Sequence, residues 1–402
     1  MVRKEAVSTR RLRRLRQGDA QVNFLFSIPT AVQFGPGAAA RLGDELRRLG
    51  AGRVLLVHDR GVMAAGLIDP LLATLAAAGI AVSRHDDVPP NPSDHAVEAT
   101  AAAARAGAAE AIVAVGGGSA IDAAKAANIL LANPGPIAAY EGIDRVARPG
   151  LPLIALPTTA GTASEVTAFT IVTDTARHRK MVIGGRGIAP TVALADPLLT
   201  RTLPPALTAA TGLDALTHAI EAYVSTAASP PADALALDAI RRITTALPRA
   251  YADGADITAR SNMLLGSMMA GFAFNAAGLG LVHAIAHPLG ARFGLAHGTA
   301  NAIGLAPVMA YNAATAPGRY RAVAAALGVA VEGIDDAAAA QAATARVAAL
   351  VDALAIPSLG QCGVTPADLP QLVEDALTEP SIAFNPRRPT RDELLTLLAG
   401  LL

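Results

Sequence analysis

Cysteine, tryptophan and lysine are scarce or missing in this chain. A single cysteine, Cys362, cannot form an intramolecular disulfide and cannot build a thiolate-rich zinc site. Aromatic residues make up 3% of the chain against 52% for all hydrophobic residues, so a core must consist mainly of alanine, leucine, valine and isoleucine. We therefore expect a protein of the reducing cytoplasm, and we assign Cys362 no chemistry.

An excess of charge is also missing, because Lys+Arg and Asp+Glu each number 33. This balance gives no reason to expect nucleic acid or a membrane as a partner, so the expected ligand is a small molecule. Residues 1–21 form an arginine-rich leader without the apolar core of a secretory signal, and we predict a disordered extension. Residues 261–282 carry no charge and could span a bilayer by length, but glycines and asparagines interrupt them, which favours a buried helix.

The sequence pattern changes near residue 202. From residue 22 to residue 202, short apolar runs such as RVLLVH alternate with helical patterns, which predicts a Rossmann-like α/β domain with a parallel sheet. Within it, AFTIVTD and KMVIGG are predicted to pair as a hairpin. From residue 203 to residue 402 helical periodicity dominates, which predicts an all-α domain. The cleft between two such domains is a usual place for a site.

Two features of the first half point to a bound dinucleotide. The run GGGS at residues 116–119 lies where a strand passes into a helix, and exposed backbone N–H groups at such a turn attract a diphosphate. A tight turn without ligand would also need glycine, so geometry alone leaves both interpretations open. Asp59 ends a strand, where a carboxylate could accept the ribose hydroxyls of NAD and repel the 2′-phosphate of NADP. It could equally cap the next helix.

Lysine usage adds a weaker indication. The chain carries arginine at nearly every basic position, and Lys4, Lys125 and Lys180 are its lysines. An ammonium group is a compact point charge, unlike the planar guanidinium. We therefore expect Lys125 and Lys180 to lie near phosphate or ribose oxygens.

Five candidate metal ligands cluster in the second half: Asp214, His218, His283, His287 and His297. Asp214 and His218 stand four apart in a helical pattern, so both side chains leave one face. His283 and His287 repeat this spacing, and Pro288 is predicted to end their helix. One carboxylate and three imidazoles suit Fe(II) or Zn(II). Spacing leaves open which of His283 and His287 binds the ion, and the other could carry a proton.

Four motifs in order resemble the iron-containing (group III) alcohol dehydrogenases, which have a dehydroquinate synthase-like fold: GGGSAIDAAKA, LPTTAGTASEVT, ATGLDALTHAIEAY and GLVHAIAHPLGARFGLAHGTANAI. The resemblance runs from about Phe24 to NPRRPTRDEL near the C-terminus. It implies a metal-dependent NAD(P) alcohol dehydrogenase or aldehyde reductase that transfers hydride between nicotinamide and a small alcohol bound at Fe(II) or Zn(II). It also implies a homodimer or a higher homo-oligomer.

The resemblance assigns roles that spacing left open. The implied metal ligands are Asp214, His218, His283 and His297, and His287 becomes the free imidazole near substrate and nicotinamide. The implied NAD(P) contacts are Asp59, Asn91, Gly117, Gly118, Ser119, Thr158, Thr159, Thr162 and Lys180. Phe169 and Phe274 match positions of the substrate pocket. Ala163 departs from the family, because many members have glycine there.

Other activities share this fold. The nearer alternatives are maleylacetate reductase, glycerol dehydrogenase and hydroxyacid–oxoacid transhydrogenase, and the complete ligand set argues against the first of them. A dehydroquinate synthase-type lyase would need cationic groups for a phosphorylated, carboxylated substrate, and the chain has no lysine beyond Lys180. A binding protein that has lost turnover is disfavoured by the intact ligand set.

Overall fold

The computed structural model describes residues 23–177 and 179–402, so the predicted leader lies outside the described residues. The strands are β1 (Ala31–Phe34), β2 (Arg53–His58), β3 (Ala81–His85), β4 (Ala111–Gly116), β5 (Gly142–Ile143), β6 (Leu153–Pro157), β7 (Phe169–Asp174), β8 (Arg179–Gly184) and β9 (Val192–Ala195). The helices of this half are α1 (Leu42–Arg48), α2 (Arg60–Ala64), α3 (Ile68–Ala77), α4 (Asp94–Ala106) and α5 (Gly118–Ala132).

The main sheet is parallel throughout its described strands, in the order β1-β9-β6-β4-β2-β3. Helices cover both faces, so the inner strands β2, β4, β6 and β9 are nearly continuous buried runs, whereas the edge strands β1 and β3 contain polar and exposed residues. Leu56 of β2 packs into the core on one face, while its neighbours Leu55 and Val57 pack into the core on the other. The predicted parallel α/β half is confirmed.

A smaller sheet stands beside the main one. Strands β7 and β8 pair antiparallel from Phe169↔Gly184 to Asp174↔Arg179, and β5 pairs with β8 in parallel. The predicted hairpin is therefore confirmed.

The chain after β9 is helical in its described residues: α6 (Pro205–Val224), α7 (Pro230–Ala252), α8 (Ile257–Ala277), α9 (Leu281–Phe293), α10 (His297–Ala313), α11 (Pro317–Ala326), α12 (Asp336–Ala353), α13 (Leu369–Thr378) and α14 (Arg391–Ala399). Alanines such as Ala219 on α6, Ala239 on α7 and Ala273 on α8 are fully buried in one core. Small side chains let these helices lie close together, which explains a large core with few aromatic residues.

The prediction that Pro288 ends its helix was wrong. Helix α9 continues through Pro288 to Phe293 and ends at Gly294, whose φ of 67° is left-handed. A proline inside a helix removes one hydrogen bond and costs about 3 kcal/mol in an exposed helix. Here the residues around it are buried, including Leu289 at 1% exposure, so packing offsets the loss.

The uncharged residues 261–282 do not form one helix. They run through α8, turn at Gly278 with φ 72°, and enter α9. Among the described residues, no single helix has the length and apolar character to cross a membrane. The pair α8 and α9 passes that test only together, and the two helices bend by 104° at their junction.

Candidate active site

Four of the five predicted ligands meet between α6, α9 and α10. Asp214 and His218 lie on α6, His283 on α9, and His297 is the first residue of α10. One ligand atom from each lies within 4.8 Å of the others, and Nε2 of the three histidines is 3.6 to 4.0 Å from Oδ1 of Asp214. Ligands about 2.1 Å from one ion in a tetrahedral site stand about 3.4 Å apart. The spacing therefore fits a shared cation after small side-chain adjustments.

Two glycines bring the neighbouring segments close to α6. A Cβ atom on Gly298, next to His297, would lie 2.3 Å from a backbone carbonyl oxygen of α6. A Cβ atom on Gly161 would lie 2.8 Å from a side chain of α6. The carbonyl oxygen of Gly161 is 3.3 Å from Nδ1 of His218, which leaves Nε2 for the ligand cluster.

The contacts of Asn301 indicate whether a cation fits among the four candidate ligands. Its Nδ2 lies 2.6 Å from Oδ1 of Asp214, 3.1 Å from Nε2 of His283 and 3.2 Å from Nε2 of His297. One amide nitrogen carries two hydrogens, so it cannot satisfy three acceptors. Its own Oδ1 is buried without a partner among the described residues. An acceptor-rich, donor-poor cluster of this kind fits a divalent iron or zinc ion.

The protonation of the cluster suits a metal site. Burial lowers the pKa of His283 and of His297 well below the usual 6.5, so both imidazoles are neutral. Burial opposes ionisation of Asp214, but the nearby histidines and Asn301 outweigh it, and its pKa lies below 3.8. Neutral imidazoles and an ionised carboxylate are the forms that bind metal.

Glu221 supports His283 from the side opposite the cluster. Its Oε2 lies 2.6 Å from Nδ1 of His283, and its Oε1 accepts a 2.7 Å hydrogen bond from the backbone N–H of Val282. Burial raises the pKa of Glu221 to about 7. A carboxylate on Nδ1 fixes the tautomer and leaves the lone pair of Nε2 for a metal.

His287 remains outside the group of four. It lies one helical turn after His283, and its ring stacks against that of His297 with centroids 5.6 Å apart. Its Nδ1 is 2.9 Å from Oε2 of Glu379. The structure thus brings His287 beside the candidate ligands but gives it a different partner.

The two predicted pocket residues lie in different places. Phe274 is 8% exposed and stacks on His218, with centroids 4.5 Å apart. Phe169 begins β7 and packs over a glycine of β8. The backbone N–H of Ala168 donates a 2.8 Å hydrogen bond to Oδ1 of Asn275, which joins the segments that carry the two phenylalanines. Phe274 therefore contacts a candidate ligand, whereas Phe169 packs on the hairpin.

Most of the predicted dinucleotide contacts gather at the carboxyl ends of β2, β4 and β6, which are neighbours in the sheet. A Cβ atom on Gly117 would lie 3.2 Å from the side chain of Thr159, and one on Gly118 would lie 2.7 Å from Thr162. Thr158 donates its backbone N–H to the last carbonyl of β4 at 3.0 Å. Among the described residues, no side chain caps α5 at Gly117. The uncapped N–H groups of a 15-residue helix suit a diphosphate.

A second group of predicted contacts lies beside this turn. Nζ of Lys180 donates to Oδ1 of Asn91 at 2.8 Å and to Oγ1 of Thr173 at 3.0 Å. Oγ of Ser119 accepts from the backbone N–H of Asn91 at 3.2 Å. Asn91 has φ 55°, and asparagine tolerates this left-handed conformation. The network holds Asn91, Ser119 and Lys180 together at the start of α5.

Asp59 has the capping role that was the alternative to cofactor binding. Its Oδ1 accepts a 2.8 Å hydrogen bond from the backbone N–H of Val62 in the first turn of α2. Its Oδ2 faces the turn at Gly116, where a Cβ atom would lie 3.4 Å away. Capping therefore occupies one carboxylate oxygen and leaves the other directed at the turn.

The expectation for Lys125 was wrong. Its side chain is 1% exposed, and Nζ donates to Oγ of Ser164 at 2.8 Å and to the carbonyl oxygens of Thr167 and Phe169 at 2.9 and 2.7 Å. The ammonium group ties α5 to the loop before β7 and to the start of β7. Three acceptors satisfy it inside the protein, so it is not placed to contact phosphate or ribose oxygens.

Sequence reasoning missed three polar residues of the site: Glu221, Asn301 and Glu379. Glu221 and Asn301 had a pattern that could have revealed them. Glu221 is three residues after His218, and Asn301 is four residues after His297, so each lies on the face of its helix that carries a candidate ligand. Glu379 is distant in sequence from the histidines, and no spacing rule predicts its contact.

Comparison with known proteins covers most of the chain. Residues 29–197 match the profile described as "Iron-containing alcohol dehydrogenase", and residues 208–402 match "Fe-containing alcohol dehydrogenase family, C-terminal". The chain is 42% identical to alcohol dehydrogenase 4 of Schizosaccharomyces pombe over 92% of this chain and 87% of that one. It is 38% identical to the NAD-dependent methanol dehydrogenase of Bacillus methanolicus over 94% and 99% of the two chains.

A solved structure supports the same assignment. The crystal structure of a 1,3-propanediol oxidoreductase superimposes with a TM-score of 0.93 and 40% identity, covering 95% of this chain and 100% of that one. The resemblance to this family and its dehydroquinate synthase-like fold is therefore confirmed. The chain belongs to the iron-containing alcohol dehydrogenase family and is an oxidoreductase that acts on CH–OH groups.

Proposed function

We propose that this enzyme interconverts small primary alcohols and their aldehydes, with NAD at the turn of residues 116–119 and divalent iron at the four-ligand cluster. The convergence of one carboxylate oxygen and three imidazole nitrogens within 4.8 Å carries the proposal. The carbonyl oxygen of Gly161 contacts His218, and residues 158, 159 and 162 of the same loop pack against the glycine turn. The two sites therefore share a wall.

The metal would be held by Asp214, His218, His283 and His297. A divalent ion there supplies a Lewis acid for the oxygen of the alcohol or aldehyde. We favour Fe(II) because the family is named for iron, and the same ligands suit Zn(II). Glu221 and Gly161 orient two of the imidazoles, which prepares the site before the ion arrives.

NAD would bind along the carboxyl ends of the strands. The N-terminus of α5 and the backbone at Gly117 and Gly118 would hold the diphosphate, and the nicotinamide supplies the hydride acceptor or donor. The free oxygen of Asp59 would accept from the adenosine ribose and disfavour the 2′-phosphate of NADP. Asn91, Ser119, Thr158, Thr159, Thr162 and Lys180 would complete the contacts.

His287 would carry the proton that accompanies hydride transfer. It lies beside His297 without being one of the four grouped ligands. With Nδ1 bound to Glu379, its Nε2 is the nitrogen that can accept a proton from the substrate side or return one. Phe274 would form an apolar wall that excludes water, and Phe169 a more distant part of the pocket.

The domain boundaries, the compartment and the oligomeric state are predicted from the sequence alone. We propose an NAD-binding unit up to residue 202 and a metal-binding unit from residue 203. We also propose a cytoplasmic enzyme that forms a homodimer or a higher homo-oligomer, without a nucleic acid or membrane partner.

Metal analysis and a substrate panel test the proposal together. Protein purified without oxygen should contain about one iron per chain, and full activity without metal would contradict the metal site. Alcohols, aldehydes and hydroxyacids of two to six carbons should be compared by NADH absorbance, and small alcohols and aldehydes should be preferred. Turnover restricted to hydroxyacids would instead favour the transhydrogenase alternative.

A further inference from the structure

We propose that Glu379 is a positioning residue, which holds His287 as the tautomer with its proton on Nδ1 and its lone pair on Nε2. This inference rests on the proposed function, which gives His287 the proton-carrying role. It concerns a residue that lies 92 positions away in the chain.

The contact is close and largely buried. Oε2 of Glu379 lies 2.9 Å from Nδ1 of His287, and the two side chains are 15% and 8% exposed. A carboxylate can only accept a hydrogen bond, so the proton in this contact is on Nδ1 of His287. Among the described residues, His287 is the hydrogen-bond partner of this carboxylate.

The same arrangement occurs one helical turn earlier. Glu221 from α6 binds Nδ1 of His283, and Glu379, which follows α13, binds Nδ1 of His287. Both histidines lie on α9, and both glutamates leave Nε2 as the available nitrogen. Nε2 of His283 faces the carboxylate of Asp214 at 4.0 Å. The two glutamates therefore fix one imidazole for the metal and the other for the proton.

A second polar contact joins α13 to α9. Arg292 of α9 makes an ion pair with Asp375 of α13, which ties the two helices independently. Glu379 itself is fixed through its backbone, because its N–H donates to the carbonyl of Ala376 at 3.2 Å and Pro380 follows it. If Glu379 only helped to dock α13 on α9, removing its charge and removing that of Asp375 should have similar effects on kcat. A positioning role predicts that only the change at Glu379 lowers kcat.

A double-mutant cycle tests the difference. Glu379→Gln, His287→Ala and the double variant are compared as full-length, metal-loaded protein with the best alcohol of the panel. Glutamine can donate as well as accept, so it no longer imposes one tautomer. We expect Glu379→Gln to lower kcat by about 10- to 100-fold with little change in KM. In the His287→Ala background the same change should have little further effect, because coupled residues are not additive.

Further variants and readouts separate position from structure. Glu379→Asp should recover most of kcat, and Glu379→Ala should resemble Glu379→Gln. Asp375→Asn, the matched control, should keep kcat. All variants should bind metal and NADH as the parent does. Histidine side-chain ¹⁵N spectra of the zinc-loaded protein should show His287 protonated at Nδ1, and a mixture of tautomers in Glu379→Gln.

Four outcomes would overturn the inference. These are an unchanged kcat in Glu379→Gln while His287→Ala is impaired, additive losses in the double variant, an equal loss of kcat in Asp375→Asn, or loss of metal in Glu379→Gln. In each of these cases the proposed function stands. If His287→Ala itself keeps full kcat, the proposed role of His287 fails, and the inference fails with it.

Discussion

Ala163 packs its Cβ atom against Gly271 of α8, where an added methyl group would lie only 2.4 Å away. Ala163 has φ 53°, a left-handed conformation that costs alanine about 1 kcal/mol or more. The loop that carries Thr158, Thr159 and Thr162 therefore packs on α8 where Ala163, in its strained conformation, contacts Gly271.

Gly271→Ala should be destabilising although alanine favours helices. The new methyl group would overlap Cβ of Ala163, and overpacking of this kind costs about 1–3 kcal/mol. Adding Ala163→Gly removes that methyl group and suits the left-handed backbone, so the double variant should return to within about 1 kcal/mol of the parent. Urea denaturation measures both effects.

Gly304→Ala on α10 is the matched control. Its Cβ atom would meet the nearest neighbour, on Val282, at an ordinary 3.5 Å, so helix propensity should dominate and stability should rise by up to about 1 kcal/mol. If Ala163→Gly does not relieve Gly271→Ala, the contact between the two residues is not the cause.

The two histidines of α9 should differ in their effect on metal binding. His283→Ala removes one of four grouped ligands and should abolish both bound metal and turnover. His287→Ala should keep the metal and lose mainly kcat. Metal content per chain and steady-state rates measure these outcomes, and a metal-free His287→Ala protein would contradict the division of roles.

Glu221→Gln should weaken metal binding without removing a ligand. The amide can no longer act as a charged acceptor for Nδ1 of His283, and loss of such a partner typically lowers metal affinity about 10- to 100-fold. Competition with a chelator measures the affinity. Glu374→Gln, on the exposed side of α13, is the control and should leave it unchanged.

Asp59→Asn should relax the preference for NAD while preserving the cap of α2. Asparagine is as good an N-cap as aspartate, so the bond to the N–H of Val62 can persist while the negative charge is lost. We expect the ratio of kcat/KM for NAD over NADP to fall on the order of tenfold. Asp59→Gly should relax it similarly at a small loss of stability. An unchanged ratio in both variants would remove Asp59 from cofactor selection.

Glu165 should make stability depend on pH. Burial raises its pKa to about 7 from the ordinary 4.5, so between these values the folded protein binds more protons than the unfolded chain. The stability that Glu165 contributes through this extra proton is fully present below pH 4.5 and is lost as the pH rises through 7. Glu165→Gln mimics the neutral acid. We therefore subtract the free energy of unfolding of the parent from that of the variant. This difference should be larger at pH 8 than at pH 5, by up to roughly 3 kcal/mol. A pH-independent difference in the free energy of unfolding would contradict this prediction.

Local spacing predicted much of the site. Asp214 and His218, four residues apart, had to leave one face of a helix, and the GGGS turn had to precede a helix. Buried strands had to be continuous apolar runs, which led to the parallel sheet. These features depend on backbone geometry over a few residues, and a sequence shows that directly.

Other features depended on packing between distant segments. Pro288 does not end α9, because burial of the residues around it offsets the lost hydrogen bond. Lys125 satisfies its charge on Ser164 and two carbonyl oxygens instead of facing a cofactor. A rule based on composition or on a single residue type contains no information about such partners.

By itself, the sequence determined the α/β and helical halves, the residues able to bind metal, and the family. The family resemblance implied that His283 binds the metal and His287 does not, but only the tertiary structure decided the partners that separate them, Glu221 for His283 and Glu379 for His287. Helical spacing makes His283 and His287 equivalent, because both leave one face of α9. Their difference arises where α6 and the segment after α13 pack against that face, and such long-range contacts are set by how the helices assemble.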